Sequence, residues 1–215
     1  MITTNETKAN IVLVINTIAF TICFAVWMMN GVLITFLVDN GIFVWDKTQI
    51  GWLIGIPVLT GSIMRLPVGI LTDKYGGRPI FAILMFIASV ATYLMSYANS
   101  YYGFILAGLG FGISGASFAI GIAYTSVWFS KEKQGLVLGI FGAGNAGAAL
   151  TSMGAPILLK YLTNSGSALE NLEAWRLMPR IYAVILLLTG IIYYFTTYSK
   201  IVEGSAKKNL SQRLA

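Results

Sequence analysis

The chain alternates long apolar runs with short polar segments. Residues 9–38 carry no charge, nor do 79–130, 134–159 or 181–199, and residues 48–72 carry one, Arg65. The run 79–130 is long enough for two membrane helices of about 20 residues each. Ala98-Asn99-Ser100 is the polar break that divides it. The pattern predicts six spans near 9–38, 48–72, 79–97, 101–129, 134–162 and 177–198. In lipid each span must close its backbone hydrogen bonds within itself, so all six are expected to be helices. The expected fold class is an all-α membrane protein: residues 1–199 form one six-helix transmembrane bundle, and 200–215 form a basic tail.

Composition supports this reading. The 215 residues are 57% hydrophobic and 10% charged, against about 25% charged in soluble domains. The first run ends without a small-residue cleavage site, so it reads as an anchor rather than a secretory signal. Lys8, Lys74, Arg78, Lys131, Lys133, Lys200, Lys207, Lys208 and Arg213 fall on one side of the predicted topology. Only Lys47, Lys160, Arg176 and Arg180 fall on the other. This bias places both termini in the cytoplasm of a multi-pass protein of the cytoplasmic (inner) membrane. The net charge of +6 is spread over loops and tail, as topology requires, and does not imply nucleic acid. The tail reads as a solvated end that fixes topology rather than as a lipid-specific site.

The chemistry of the side chains excludes several functions. The single cysteine, Cys23, cannot form an intrachain disulfide, and there is no histidine. No nucleophile–base pair or metal-ligand cluster is evident, so an enzyme is not expected and neither a cofactor nor a metal is called for. No span holds an interior Asp or Glu, which weakens the case for direct proton relay.

Arg65 is the most informative residue. A charge at mid-bilayer costs roughly 3 kcal/mol, so such residues usually face a protein interior or a water-filled path. The competing reading is a snorkelling arginine that neutralises a helix end. It sits poorly with the ~12 Å along the helix between Arg65 and Asp73, at about 1.5 Å per residue. The expectation is a pore or carrier for an anion. The fourth and fifth spans are dense in small residues, among them Gly108, Gly112, Gly142, Gly144 and Gly147, for which tight helix packing is the first explanation. Asn145 differs: it either hydrogen-bonds across helices or offers its amide to an anion, and the small residues around it favour the second role. On pattern alone Phe118 is an ordinary core aromatic.

Gly69-Ile-Leu-Thr-Asp73-Lys74-Tyr75-Gly76-Gly77-Arg78-Pro79 resembles the loop motif between helices two and three of the major facilitator superfamily, with Gly77 where a second basic residue is frequent. Trp175-Arg176 is a weaker echo. Gly61-Ser-Ile-Met-Arg65-Leu-Pro67-Val-Gly69 is similar to helix two of the nitrate/nitrite porters. Gly142-Ala-Gly144-Asn145-Ala-Gly147, preceded by Lys133-Gln134-Gly135, is similar to their helix-five signature. The resemblance implies the N-terminal six-helix half of a secondary transporter that exchanges nitrate and nitrite by alternating access. Arg65 would bind the substrate, with Asn145, Phe118 and Gly144 lining its site. Gly69, Asp73, Lys74, Gly76 and Arg78 would form a conformational motif. The partners implied are a small anion, the lipid membrane and a second six-helix bundle, from another copy or a separate chain. The alternatives are a carrier of another small anion, such as formate or oxalate, or a non-transporting membrane subunit or sensor.

Overall fold

The computed structural model describes residues 2–163 and 172–200. Residues 201–215 lie outside it, and with them most of the predicted tail, including Lys207, Lys208 and Arg213. Six helices are long and apolar enough to cross a membrane: Asn5–Asp39, Lys47–Tyr75, Gly77–Met95, Tyr101–Trp128, Lys131–Thr163 and Glu173–Thr196. They match the six predicted spans, and no strand occurs among the described residues. The first span packs on all the others except the third. The third and sixth pack closely on each other, and the second lies against the fourth.

Local chemistry sets the helix ends. Asp46 caps the second span in a reciprocal pair: its carboxylate accepts from Gln49 N at 2.8 Å, and Gln49 Oε1 accepts from Asp46 N at 3.1 Å. Ser100 caps the fourth, its Oγ accepting from Gly103 N at 3.2 Å. The charged segment expected as a turn is mostly helix. The second span runs through Tyr75 and the third starts at Gly77. Gly76 alone makes the reversal, at φ 87°, which a side chain would resist. A Cβ at Gly77 would overlap the Tyr124 ring, so glycine is also required there. Pro79 is tolerated because it falls in the first turn of the third span, where a backbone N–H has no partner within the helix.

Pro57 lies inside the second span and has no N–H to donate to the carbonyl of Leu53. Asn30 Nδ2 from the first span donates to that carbonyl at 2.9 Å. In a membrane an unpaired carbonyl costs several kcal/mol, so Asn30 offsets the proline. The core divides into two clusters along the bundle. One contains Phe20, Phe81, Tyr124, Phe141 and Tyr193. The other contains Leu33, Phe104, Phe111, Trp175 and Met178. Asn16 sits inside the first cluster with every group used. Its Nδ2 donates to Gly121 O at 3.0 Å and Thr125 Oγ1 at 2.7 Å, while its Oδ1 accepts from Tyr193 O–H at 3.2 Å. This network pins the first, fourth and sixth spans together.

Candidate functional site

The second and fourth spans run parallel, because the third returns the chain across the membrane. They cross where glycines allow contact. A Cβ at Gly61 would lie 2.9 Å from Gly112 O and 3.1 Å from Gly115 Cα. Trp27 of the first span closes this junction, its indole N–H donating to Pro57 O at 3.2 Å. Arg65 lies four residues past Gly61, about 6 Å along the helix, and Phe118 three residues past Gly115, about 4.5 Å. The two therefore stand at similar depth, one turn beyond the crossing.

The first and fifth spans fix the remaining residues. The Phe118 ring lies 5.5 Å from that of Phe20 and 6.1 Å from that of Phe141. The Phe20 and Phe141 rings stack at 4.7 Å. Gly144 is buried against the same Phe20: a Cβ there would overlap its ring and lie 3.1 Å from Thr17 O. At Gly147 a Cβ would overlap the Thr21 carbonyl. Phe20 is thus the shared neighbour that sets Phe118 and Gly144, and with Gly144 its chain neighbour Asn145, at one level. Gly144 reaches that level as a packing residue whose Cβ direction is closed by the first span.

Burial separates Arg65 and Asn145 from Asn16 and Asn30, which are buried. Arg65 and Asn145 are both exposed on the bundle surface. Among the described residues neither side chain has a hydrogen-bond or ion-pair partner. The helix-to-helix hydrogen bond weighed for Asn145 is therefore absent within this bundle. Their spans are also the least covered. Of the most apolar stretch of each, 22% is buried in the second span and 28% in the fifth, against 50% in the fourth. The second and fifth spans make no extensive contact with each other, and both lean on the first and fourth. The second and fifth spans therefore flank a groove over the first and fourth; Arg65 and Asn145 are exposed on these two flanking spans, and half-buried Phe118 is on the fourth.

The glycines divide by location. Gly108, Gly112, Gly115, Gly144 and Gly147 serve helix contact, as expected of the fourth and fifth spans, and so does Gly61 of the second. Gly51, Gly55 and Gly69 on the second span, and Gly135, Gly139 and Gly142 on the fifth, have nothing within 4 Å of where a Cβ would stand. For these, packing within the bundle is not the explanation.

The expected conformational motif is only partly joined to this groove. Gly69 is on the second span one turn beyond Arg65. Arg78 turns away to the sixth span, its Nε donating to Tyr194 O at 2.8 Å and its guanidinium stacking 4.5 Å from the Tyr194 ring. Lys74 lies 5.0 Å over the Tyr75 ring. At the opposite end Arg176 is a structural tie, donating to Ser96 O at 2.9 Å, Ala98 O at 3.1 Å and Asn99 Oδ1 at 2.7 Å. Sequence reasoning passed over Phe20, Phe141 and Trp27, which hold the site residues at one depth. Their only signal is aromatic character, which core residues share.

Comparison with known proteins agrees with the fold and narrows the family. The family model of the Major Facilitator Superfamily matches residues 15–214. The chain is 40% identical over 191 residues to the probable nitrate/nitrite antiporter NarK1 of Thermus thermophilus, covering 88% of this chain and 42% of that protein. It is 29% identical over 189 residues to the nitrite extrusion protein of Bacillus subtilis (strain 168), covering 87% of this chain and 45% of that protein. To the probable nitrate transporter NarT of Staphylococcus carnosus it is 29% identical over 191 residues, covering 89% and 46%. The chain thus spans slightly less than half the length of these relatives.

Proposed function

Because the chain belongs to the Major Facilitator Superfamily, as the match over residues 15–214 establishes, we propose that it is one six-span half of a nitrate/nitrite carrier of the cytoplasmic membrane. The observation that carries this reading is the pair Arg65 and Asn145. They are exposed and unpaired, and lie on the two least covered spans. An arginine with no partner amid apolar residues needs an anion, water or a facing surface. Guanidinium is planar, permanently charged and forked, which suits a flat oxyanion. Asn145 adds a neutral donor, and Phe118 presents an aromatic edge or face that limits the size of the slot. Gly144 contributes by letting the fifth span close on Phe20, which positions Asn145.

The relatives named as nitrate or nitrite transporters support this substrate class. The groove is open on one side, and the chain spans slightly less than half of each relative, so a second bundle would complete the site. Rocking of one bundle against the other would expose the anion to each side in turn. With the carboxylates of the six spans confined to their end turns, nitrate/nitrite exchange is the favoured mode over proton symport. Both termini would be cytoplasmic. Lys8, Arg78, Lys133 and Lys200 line one cavity at a single end of the bundle, which agrees with the bias of basic residues.

The test is calorimetric titration of the purified full chain, reconstituted with a second bundle, against nitrate, nitrite, formate and oxalate. Nitrate and nitrite should bind more tightly than formate or oxalate. Binding of formate or oxalate in preference would overturn the substrate assignment. Equal binding of all four by wild type and by Arg65→Lys would overturn the site.

A further inference from the structure

A cavity of about 1000 Å³ opens at the end of the bundle opposite Arg176, between the first, fourth and fifth spans and the segment after the sixth. Four cations reach it, Lys8, Arg78, Lys133 and Lys200, with one acid, Glu6. Glu6 lies 3.8 Å from Lys133, and both side chains are 65% exposed. The remaining three cations have no carboxylate within ion-pair distance among the described residues. Lys8 stands 5.1 Å over the Tyr198 ring and Lys200 4.9 Å over the Trp128 ring. The ammonium groups are thereby gathered over aromatic faces at the cavity mouth rather than dispersed. The wall below is apolar: Leu136 is 72% exposed and Ile140 44% exposed, on a helix that crosses the membrane.

From this arrangement we propose that the cavity binds the phosphate headgroup of an anionic phospholipid, with an acyl chain lying along Leu136 and Ile140. Two chemistries are stacked in depth, cations above and hydrocarbon below, and an anionic lipid is complementary to both. A free inorganic anion would use only the cations. Residues 201–215 are themselves basic, with Lys207, Lys208 and Arg213 against Glu203, and would be repelled. A second copy of the chain would bring the same basic patch and be repelled likewise. None of Arg65, Phe118, Gly144 and Asn145 lines this cavity.

Native mass spectrometry of the full chain in mild detergent tests this directly. The chain is supplied with phosphatidylglycerol or with phosphatidylcholine of the same acyl chains. Phosphatidylglycerol should be retained at least tenfold better. Each of Lys8→Gln, Lys133→Gln and Lys200→Gln should lower its retention about fivefold, equivalent to about 1 kcal/mol per basic residue near an anionic surface. Equal retention of the two lipids, or unchanged phosphatidylglycerol retention in the triple variant, would overturn the proposal. A second measurement uses the wild-type chain alone. Raising ionic strength from about 0.1 to about 1 M shortens the screening length from roughly 10 to roughly 3 Å, and retention of phosphatidylglycerol should fall toward that of phosphatidylcholine. Salt-insensitive retention would count against a headgroup contact. Inorganic phosphate that raises the melting temperature as much as the lipid does would assign the cavity to a soluble anion and overturn the lipid assignment.

Discussion

Arg65→Lys keeps the charge but removes the planar fork, so anion affinity should fall about 10- to 100-fold, the equivalent of one charge-assisted hydrogen bond lost. Folded yield should stay near that of the wild type, since Arg65 is exposed and unpaired within the bundle. Titration of purified protein checks the first, and size-exclusion recovery the second. Asn145→Ala should weaken binding about fivefold, near 1 kcal/mol for a neutral donor, again without loss of folded protein. Lost yield with normal transport per molecule would make Asn145 a structural residue instead. Both positions were legible in the sequence because polar residues stand out in apolar runs. Asn16 and Asn30 stand out equally, yet each is spent inside the bundle, on Gly121 and Thr125 and on Leu53. A single sequence gives a residue's polarity but not its neighbour, and the neighbour decides whether the group is left for a ligand.

The fifth span carries two kinds of glycine, and substitution should tell them apart. Gly147→Leu would drive a side chain into the Thr21 carbonyl, and Gly144→Leu one into Phe20, so both should lower the amount of folded protein sharply. At Gly139 nothing lies within 4 Å of where a Cβ would stand, so a Gly139→Leu side chain starts into open space. It should leave yield intact and reduce transport only by obstructing the surface where a second bundle would approach. Comparison of membrane yield with uptake for the three variants separates these outcomes. The existence of all six helices was legible, because apolar runs of this length have few alternatives in lipid. Interruptions within them were not. The fourth helix tightens to a 3-10 turn at Gly112–Ala116, and the fifth at Ala143–Asn145. Glycine density marks both places, but it does not distinguish a tightened turn from close packing. The turn expected across Asp73 to Pro79 is confined to Gly76, because the second helix continues through Tyr75 and the third begins at Gly77.

At the level of the molecule the exposed Arg65 and Asn145 bear on the proposed second bundle. One bundle leaves Arg65 and Asn145 uncovered, and no second arginine faces them among the described residues. If two copies associate through this face, two Arg65 side chains would meet across a two-fold axis, and their repulsion in a dry site would be large without an anion between them. Nitrate should then raise the melting temperature of the assembly, by about 2.7 kcal/mol of stabilisation at 100 times its dissociation constant. The six-span architecture was legible in charge-free runs and glycine motifs; what meets the exposed Arg65 and Asn145 was not, because a polar residue in an apolar run does not name its partner. The most direct measurement is nitrite-driven uptake of labelled nitrate into liposomes, with the mass of the reconstituted species determined in parallel. Exchange is predicted only where two bundles are assembled, and it should be lost with Arg65→Lys. Nitrate exchange by a strict monomer would contradict the account.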